Sequence, residues 1–228
     1  MLFRSHGFKA PTLKQISPDY KEDEGPYTYF GNAALKPEAN DALEVGVGWD
    51  NAAAGLQLML FRNQVDNLIV TRLFNVVAGR NQYVFENTEH ATLQGLEAAA
   101  TWRANRQLTL GANWQALDAT DGQGQRLDKR PRHQVGLRAD WRAGAWRVGA
   151  RVEHQRGLLL ATAVVGQPFQ PVPAVTLVSA SAGLEIGHGL DLSVGVNNLG
   201  NVDLAARSAL FNYAEAPRTW RLTLRGRW

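Results

Sequence analysis

From about Leu43 to the C-terminus, apolar side chains recur at every second position. In the last segment Trp220, Leu222, Leu224, Gly226 and Trp228 share one face, while Arg221, Thr223, Arg225 and Arg227 share the other. Successive side chains of a strand point to opposite sides, so this spacing makes one greasy face and one basic face. On a helix of 3.6 residues per turn the same stripe would wind around the axis and give no face at all. The chain is therefore expected to be all-β.

Upstream, Val135, Leu137, Ala139 and Trp141 form one stripe and Trp146, Val148, Ala150 and Val152 the next, with only Ala143-Gly144-Ala145 between them as a tight hairpin turn. Further stripes are Leu43 to Trp49, Leu56 to Leu60, Leu108 to Trp114, Val178 to Ile186 and Leu190 to Val196. Short turns are expected near Asn51–Gly55, Arg103–Arg106, Ala143–Ala145 and Gly187–Gly189, and long connections near Thr71–Gln82, Ala119–Arg130, Gly157–Pro173 and Gly200–Pro217. Short connections at one end and long ones at the other are the plan of a transmembrane antiparallel β-barrel, with periplasmic turns and extracellular loops. Trp49, Trp102, Trp114, Trp141, Trp146 and Trp228 sit at or near strand ends, as an interfacial aromatic girdle would place them. No apolar run reaches the ~20 residues of a membrane-crossing helix. The mean hydropathy of −0.27 is what strict alternation produces. A soluble β-sandwich, with the tryptophans anchoring its core, is the alternative. The faces opposite the stripes, rich in Arg, Gly, Gln and Asn, suit a watery lumen better.

The absence of cysteine removes disulfide scaffolds, zinc ribbons and thiol nucleophiles. Met1 to Arg4 lacks the segments of a secretion signal, so an exported protein would carry its signal elsewhere or continue upstream. A net charge of +3 and a pI near 9.4 fit either a solvated surface or an anionic partner.

Several short motifs then follow one another. Gly7 to Tyr20 reads GFKAPTLKQISPDY, with Phe8, Lys9, Ala10 and Pro11 at its start, and Gly31 to Glu38 reads GNAALKPE, ending in Leu35, Lys36, Pro37 and Glu38. After these come Glu44-Val45-Gly46, Phe61-Arg62-Asn63 with Asp66, Leu68 and Ile69, and Asn87 with Gln94-Gly95-Leu96-Glu97. Arg130-Pro131-Arg132-His133, Val196-Asn197-Asn198-Leu199 with Asn201, and Ala216-Pro217-Arg218-Thr219 complete the series. In this order the motifs resemble the signatures of TonB-dependent outer-membrane receptors, in the branch that takes up ferric catecholate siderophores and serves as colicin receptors. The resemblance implies that residues 1–228 are the C-terminal part of a receptor barrel. The plug domain, the box that contacts TonB and the first barrel strands have no counterpart here, and roughly nine or ten strands are legible where such barrels have about 22. Met1 would then be an internal methionine or a truncated start.

That family's expected location is the bacterial outer membrane. Its partners would be a ferric siderophore, the TonB complex through the missing plug alone, and the outer-membrane assembly machinery through the terminal Trp228; nucleic acid is not expected. Transport by conformational change, not catalysis, is the expected function, and a lone fragment with two open sheet edges should not transport. For a flat-faced anionic chelate, basic and aromatic loop residues are the candidates: Tyr20, Tyr27, Tyr29, Arg72, Arg80, Arg126, Arg130, Arg132, Arg207 and Tyr213. Ala10-Pro11 and Lys36-Pro37-Glu38 serve equally well as rim turns with no ligand contact. Gly95, with other glycines of the polar faces, either admits a plug or relieves strand curvature, and Glu97 and Asn198-Leu199 are motif positions without an evident chemical role.

The five histidines form no pair at metal-ligand spacing, and none lies between residues 12 and 30, where heme-uptake relatives would carry one. No metal site, cofactor or catalytic residue is expected. An enzyme would have to be a small barrel hydrolase using His133 near Asp128, or His90 near Glu89.

Overall fold

The computed structural model describes residues 1–24, 27–162, 169–187, 189–211 and 215–226. In chain order the elements are β1 (Leu2–Lys9), α1 (Leu13–Ile16), β2 (Lys21–Glu24), β3 (Tyr27–Phe30), β4 (Glu38–Asp50), β5 (Ala54–Val77), β6 (Arg80–Arg103) and β7 (Leu108–Asp121). There follow β8 (His133–Ala143), β9 (Trp146–Arg156), β10 (Leu159–Ala161), β11 (Phe169–Pro171), β12 (Val175–Gly187), β13 (Leu190–Asn197), α2 (Leu204–Arg207) and β14 (Thr219–Gly226). Ten strands pair in the order β1-β4-β5-β6-β7-β8-β9-β12-β13-β14. Every neighbour in this path is antiparallel, so the sheet is a meander with β1 and β14 as its two edges.

Register carries the apolar stripes from strand to strand. Val45 lies opposite Leu60, which lies opposite Leu96, while Val194 lies between Ala182 and Leu222. A slip by one residue would move each stripe to the other side, which is why the alternation fixes the pairing. The apolar face is uncovered. Trp220, Leu222 and Leu224 are 64%, 74% and 66% exposed, and Leu43, Val47, Trp49, Leu60 and Trp102 are exposed with them. In a sandwich these residues would be the core. Among the described residues no second sheet packs on them, so the sandwich alternative is not met. The other face carries Arg138, Asp140, Arg147, Arg151, Asp191, Arg221 and Arg225 around small Gly149, Ser181, Gly183, Ser193 and Gly195.

Burial is concentrated where the long connections fold back on the sheet. Val65, Leu68, Ala91, Ala119 and Leu127 form one cluster, with Leu127 coming from the β7–β8 connection. Leu158, Leu160, Val172, Val175, Leu204 and Phe211 form another, roofed by the β10–β11 hairpin and α2.

The short turns and three of the long connections fall where the spacing predicts. The fourth does not, because β5 and β6 run on as a ladder through Thr71–Gln82 to pair Val77 with Arg80. Ala78 and Gly79 make the turn at φ +50° and +76°, the left-handed conformation a two-residue hairpin requires. A bulge between Leu73 and Asn75 breaks the alternation and hides this extension from the spacing. Trp228 and Tyr213 lie outside the described residues.

Candidate functional site

The candidate residues lie mainly at the long-connection end of the sheet. After β1 the chain meets Pro11, which cannot donate to a ladder, and turns into α1 under a capping box in which Thr12 and Gln15 satisfy each other's backbone N–H groups. The β2–β3 hairpin then crosses to β6 and pairs with it in parallel, Tyr27 opposite Asn81 and Phe30 opposite Val84. This occupies the edge of β6 beyond the point where β7 leaves it.

Asparagines tie the crossing down. The Asn32 side chain donates to the Phe85 carbonyl (2.9 Å), and Asn87 accepts from the Lys36 N–H (2.8 Å) while donating to the Lys36 and Asn67 carbonyls (3.0 and 2.6 Å). Glu38, only 8% exposed, accepts from the Ile69 N–H at 2.9 Å and from Lys9 Nζ at 3.3 Å. Leu35 is buried. Lys9, Lys36 and Glu38 thus hold the first connection against the β5–β6 hairpin. Pro11 and Pro37 flank it, and Phe8 at the end of β1 is exposed. Gly31 passes so close to the Ser17 carbonyl that a Cβ would come within 1.9 Å of it, so only glycine fits.

The ligand candidates fall into three groups. In the first, Tyr29 stacks on Tyr83 and Phe85 (centroids 5.5 and 6.4 Å apart) and Tyr27 meets Tyr83 edge-on at 5.9 Å. Arg80 pairs with Asp23 at 3.0 Å and donates to the Tyr27 carbonyl at 3.2 Å, and Arg72 pairs with Glu86 at 2.5 Å. Tyr20 donates to Glu22, which also pairs with Lys14. Burial pushes the Tyr29 and Tyr83 phenols above their ordinary value, while the hydrogen bond from Thr28, with Arg80 nearby, holds the Asp23 carboxyl below the usual range.

In the second group, on the β7–β8 connection, Arg126 donates to the Gly157 carbonyl at 2.5 Å and Arg130 to the Asp128 carbonyl at 3.0 Å. Arg132 lies 3.8 Å from Asp118. Arg207, alone in the third, donates to the Ala174 carbonyl at 2.9 Å. The fold brings Tyr27, Tyr29, Arg72 and Arg80 together, but not with Arg207. The sequence reading also misses Asp23 and Asn67, and names Asn87 and the stretch holding Asn32 only as motif positions, without their clasping role. Asn67 itself is left-handed, at φ +56°, a conformation that asparagine tolerates better than most residues.

Other motif positions make contacts within the sheet. The Glu97 side chain accepts from Gln115 at 2.9 Å, and Leu199 N–H bonds the Val178 carbonyl at 2.8 Å. His133 stacks on Trp114 and His90 pairs with Asp66 at 2.6 Å. Among the described residues no three His, Asp or Glu side chains could hold a metal.

Asp128 gives a pH test of this region. Burial raises its carboxyl above the ordinary aspartate value, against the opposing pull of Lys129 and Arg130. A carboxyl with a raised folded value contributes stability that is complete below its unfolded value and is lost as pH rises through the folded one. Asp128→Asn is therefore expected to flatten the pH dependence of thermal stability across that acidic window and to exceed the parent above it. A parent curve no steeper than the variant's in a pH series of unfolding temperatures would refute the assignment.

Comparison with known proteins places this geometry in context. Residues 5–199 match the family model described as TonB dependent receptor-like, beta-barrel. The ferric enterobactin receptor of Pseudomonas aeruginosa is 28% identical over an alignment covering 61% of this chain and 21% of that protein. A solved variant of that receptor in complex with enterobactin superposes with a TM-score of 0.75 at 22% identity, over 98% of this chain and 37% of its own. The siderophore receptor PirA of the same organism gives a TM-score of 0.71 at 19% identity, over 98% and 38%. The chain thus spans about a fifth of the curated relative and little more than a third of the solved receptors.

Proposed function

The chain belongs to the TonB-dependent receptor-like β-barrel family, and from that premise we propose that residues 1–228 form the C-terminal part of the barrel of an outer-membrane receptor for an anionic iron chelate, a ferric siderophore of the catecholate type. The observation that carries this reading is the pairing of an uncovered apolar face with a polar opposite face across ten meandering strands. Such a sheet is stable only with lipid on one side and water or protein on the other. The apolar face is then the lipid side, the polar face the lumen, and the long connections the extracellular mouth. The relatives are named as receptors, which favours uptake over catalysis.

In this reading β1 and β14 join further strands of the whole receptor, since open edges are not tolerated in lipid. A plug domain would sit against the arginine-rich lumen wall and connect to TonB. The chelate would be met outside by Tyr20, Tyr27, Arg72, Arg80, Arg130 and Arg132, with Arg207 and Tyr213 on later loops and with Tyr29 and Arg126 positioning their neighbours. Arg72 and Arg80 retain 56% and 40% side-chain exposure despite their partners, enough to reach an anion.

Growth of an iron-starved strain on ferric enterobactin, with and without the full-length gene, tests the substrate class. Growth is expected to depend on the gene. In the purified full-length receptor, Arg72→Gln with Arg80→Gln is expected to weaken chelate binding by about tenfold, the scale of one charge-assisted contact. Growth independent of the gene would end the proposal.

A further inference from the structure

Arg80 is held through a single nitrogen. Its Nη1 donates to Asp23 Oδ1 at 3.0 Å and to the Tyr27 carbonyl at 3.2 Å, which uses both hydrogens of that nitrogen. Among the described residues, Nε and Nη2 have no protein acceptor. Together they form a second edge of the guanidinium, with two N–H groups pointing the same way, on a side chain that is 40% exposed.

The carboxylate that holds Arg80 is itself fixed. Thr28 Oγ1 donates to the same Asp23 Oδ1 at 2.6 Å, the length of a charge-assisted hydrogen bond, and Thr28 is only 1% exposed. Asp23 and Thr28 lie opposite each other in the β2–β3 hairpin, and Thr28 lies opposite Gln82 in the parallel pairing with β6. The sheet therefore fixes the hydroxyl, the hydroxyl fixes Asp23, and Asp23 fixes Arg80 at the first position of β6. The other ion-paired candidates lack this support. Among the described residues, neither Glu86 beside Arg72 nor Asp118 beside Arg132 accepts a second side-chain hydrogen bond.

Resting on the reading of these loops as the chelate-binding end, we propose that Asp23 is a positioning residue for chelate recognition: anchored by Thr28, it holds Arg80 so that the free Nε–Nη2 edge meets two adjacent oxygens of the anionic chelate. Two parallel N–H groups suit a paired-oxygen group, as in a catecholate or a carboxylate, better than a single oxygen. Holding the long side chain beforehand also removes the cost of ordering it when the ligand arrives. A purely electrostatic role for Asp23 has the opposite sign. A carboxylate acting through its charge alone repels the anion, so its removal would tighten binding, whereas removal of a positioning group weakens it.

Tryptophan fluorescence of the purified full-length receptor, titrated with ferric enterobactin, tests this. Asp23→Ala is expected to raise the dissociation constant about fivefold, the scale of ordering one flexible side chain. Asp23→Asn keeps an acceptor oxygen and should lie between that variant and the parent. Thr28→Val changes no charge and should weaken binding in the same direction, while Thr28→Ser restores it. Glu24→Gln removes a carboxylate from the same strand without touching Arg80 and is expected to bind no more weakly than the parent. Heat-modifiable gel migration reports that each variant is folded. Tighter or unchanged binding in Asp23→Ala would overturn the proposal. Phenylglyoxal, which adds to accessible guanidinium groups, gives a readout without any chelate: Arg80, followed by peptide mass spectrometry, is expected to react several-fold faster in Asp23→Ala and Thr28→Val than in the parent. Failure of the parent to bind ferric enterobactin strikes the catecholate reading, whereas equal Arg80 reactivity across the series strikes the positioning role.

Discussion

Asn198→Ala is expected to lower the temperature at which the full-length receptor loses its heat-modifiable gel form more than any loop arginine variant. Asn198 is 3% exposed and holds φ at +49°. Its amide donates to the Val202 and Ala216 carbonyls at 3.0 and 2.9 Å, and its carbonyl accepts from the Val202 N–H at 2.8 Å. One side chain therefore joins the end of β13, the approach to α2 and the return toward β14. Alanine would lose three buried hydrogen bonds worth about 1 kcal/mol each, and would hold a left-handed backbone at a cost of roughly 1–2 kcal/mol more. Asn198→Gly removes only the second penalty and should fall between the two. If Ala and Gly destabilise equally, backbone conformation contributes nothing; if neither destabilises, the clasp is not what holds this connection.

Asn201 explains why the motif needs a second asparagine. It too is left-handed, at φ +48°, and accepts from the Arg218 N–H at 2.9 Å. The stretch Asn197 to Asn201 was readable as a motif, but its meaning lies in partners up to 18 residues away. The same holds for Asn87, whose partners Lys36 and Asn67 are 51 and 20 residues distant, and for the parallel pairing of β3 with β6. What the spacing revealed, from Leu56-Leu58-Leu60 to Trp220-Leu222-Leu224, is the part of the fold set by a local rule: one face meets an apolar medium, so every second residue must be apolar. The long-connection end obeys no such period. There the chain crosses strands, and burial of Tyr83, Phe85 and Leu127 is decided by which connection lies over them. Loop arginines and tyrosines could be picked out by type, but not that Arg126 and Arg207 would bond carbonyls or that Tyr29 would stack between rings. The β5–β6 extension was hidden for another reason, since one bulge at Phe74 shifts the alternation by a residue and makes a continuous ladder look like a loop.

Gly95→Val should be the most damaging single change within the sheet. Gly95 lies on the lumen face of β6, opposite Phe61 on β5 and Leu117 on β7. A Cβ there would come within 2.1 Å of the Ala116 carbonyl oxygen and 2.9 Å of the Phe61 ring. The ring is the end of a side chain and can swing away; the carbonyl is backbone in the β6–β7 ladder and cannot move without breaking register. The position is thus closed by its own neighbours within the sheet. Gly95→Ala is expected to cost about 1–3 kcal/mol, as overpacking does, and Gly95→Val more. Phe61→Ala alone should be destabilising, since the ring covers the bare backbone of the glycine. If the ring were the obstacle, Gly95→Ala combined with Phe61→Ala would recover stability relative to Gly95→Ala. The 2.1 Å carbonyl contact predicts instead that the double variant is worse than either single one, measured as urea resistance of the folded gel form of the full-length receptor. Recovery in the double variant would place the constraint in Phe61, and the strand could then carry a side chain at position 95.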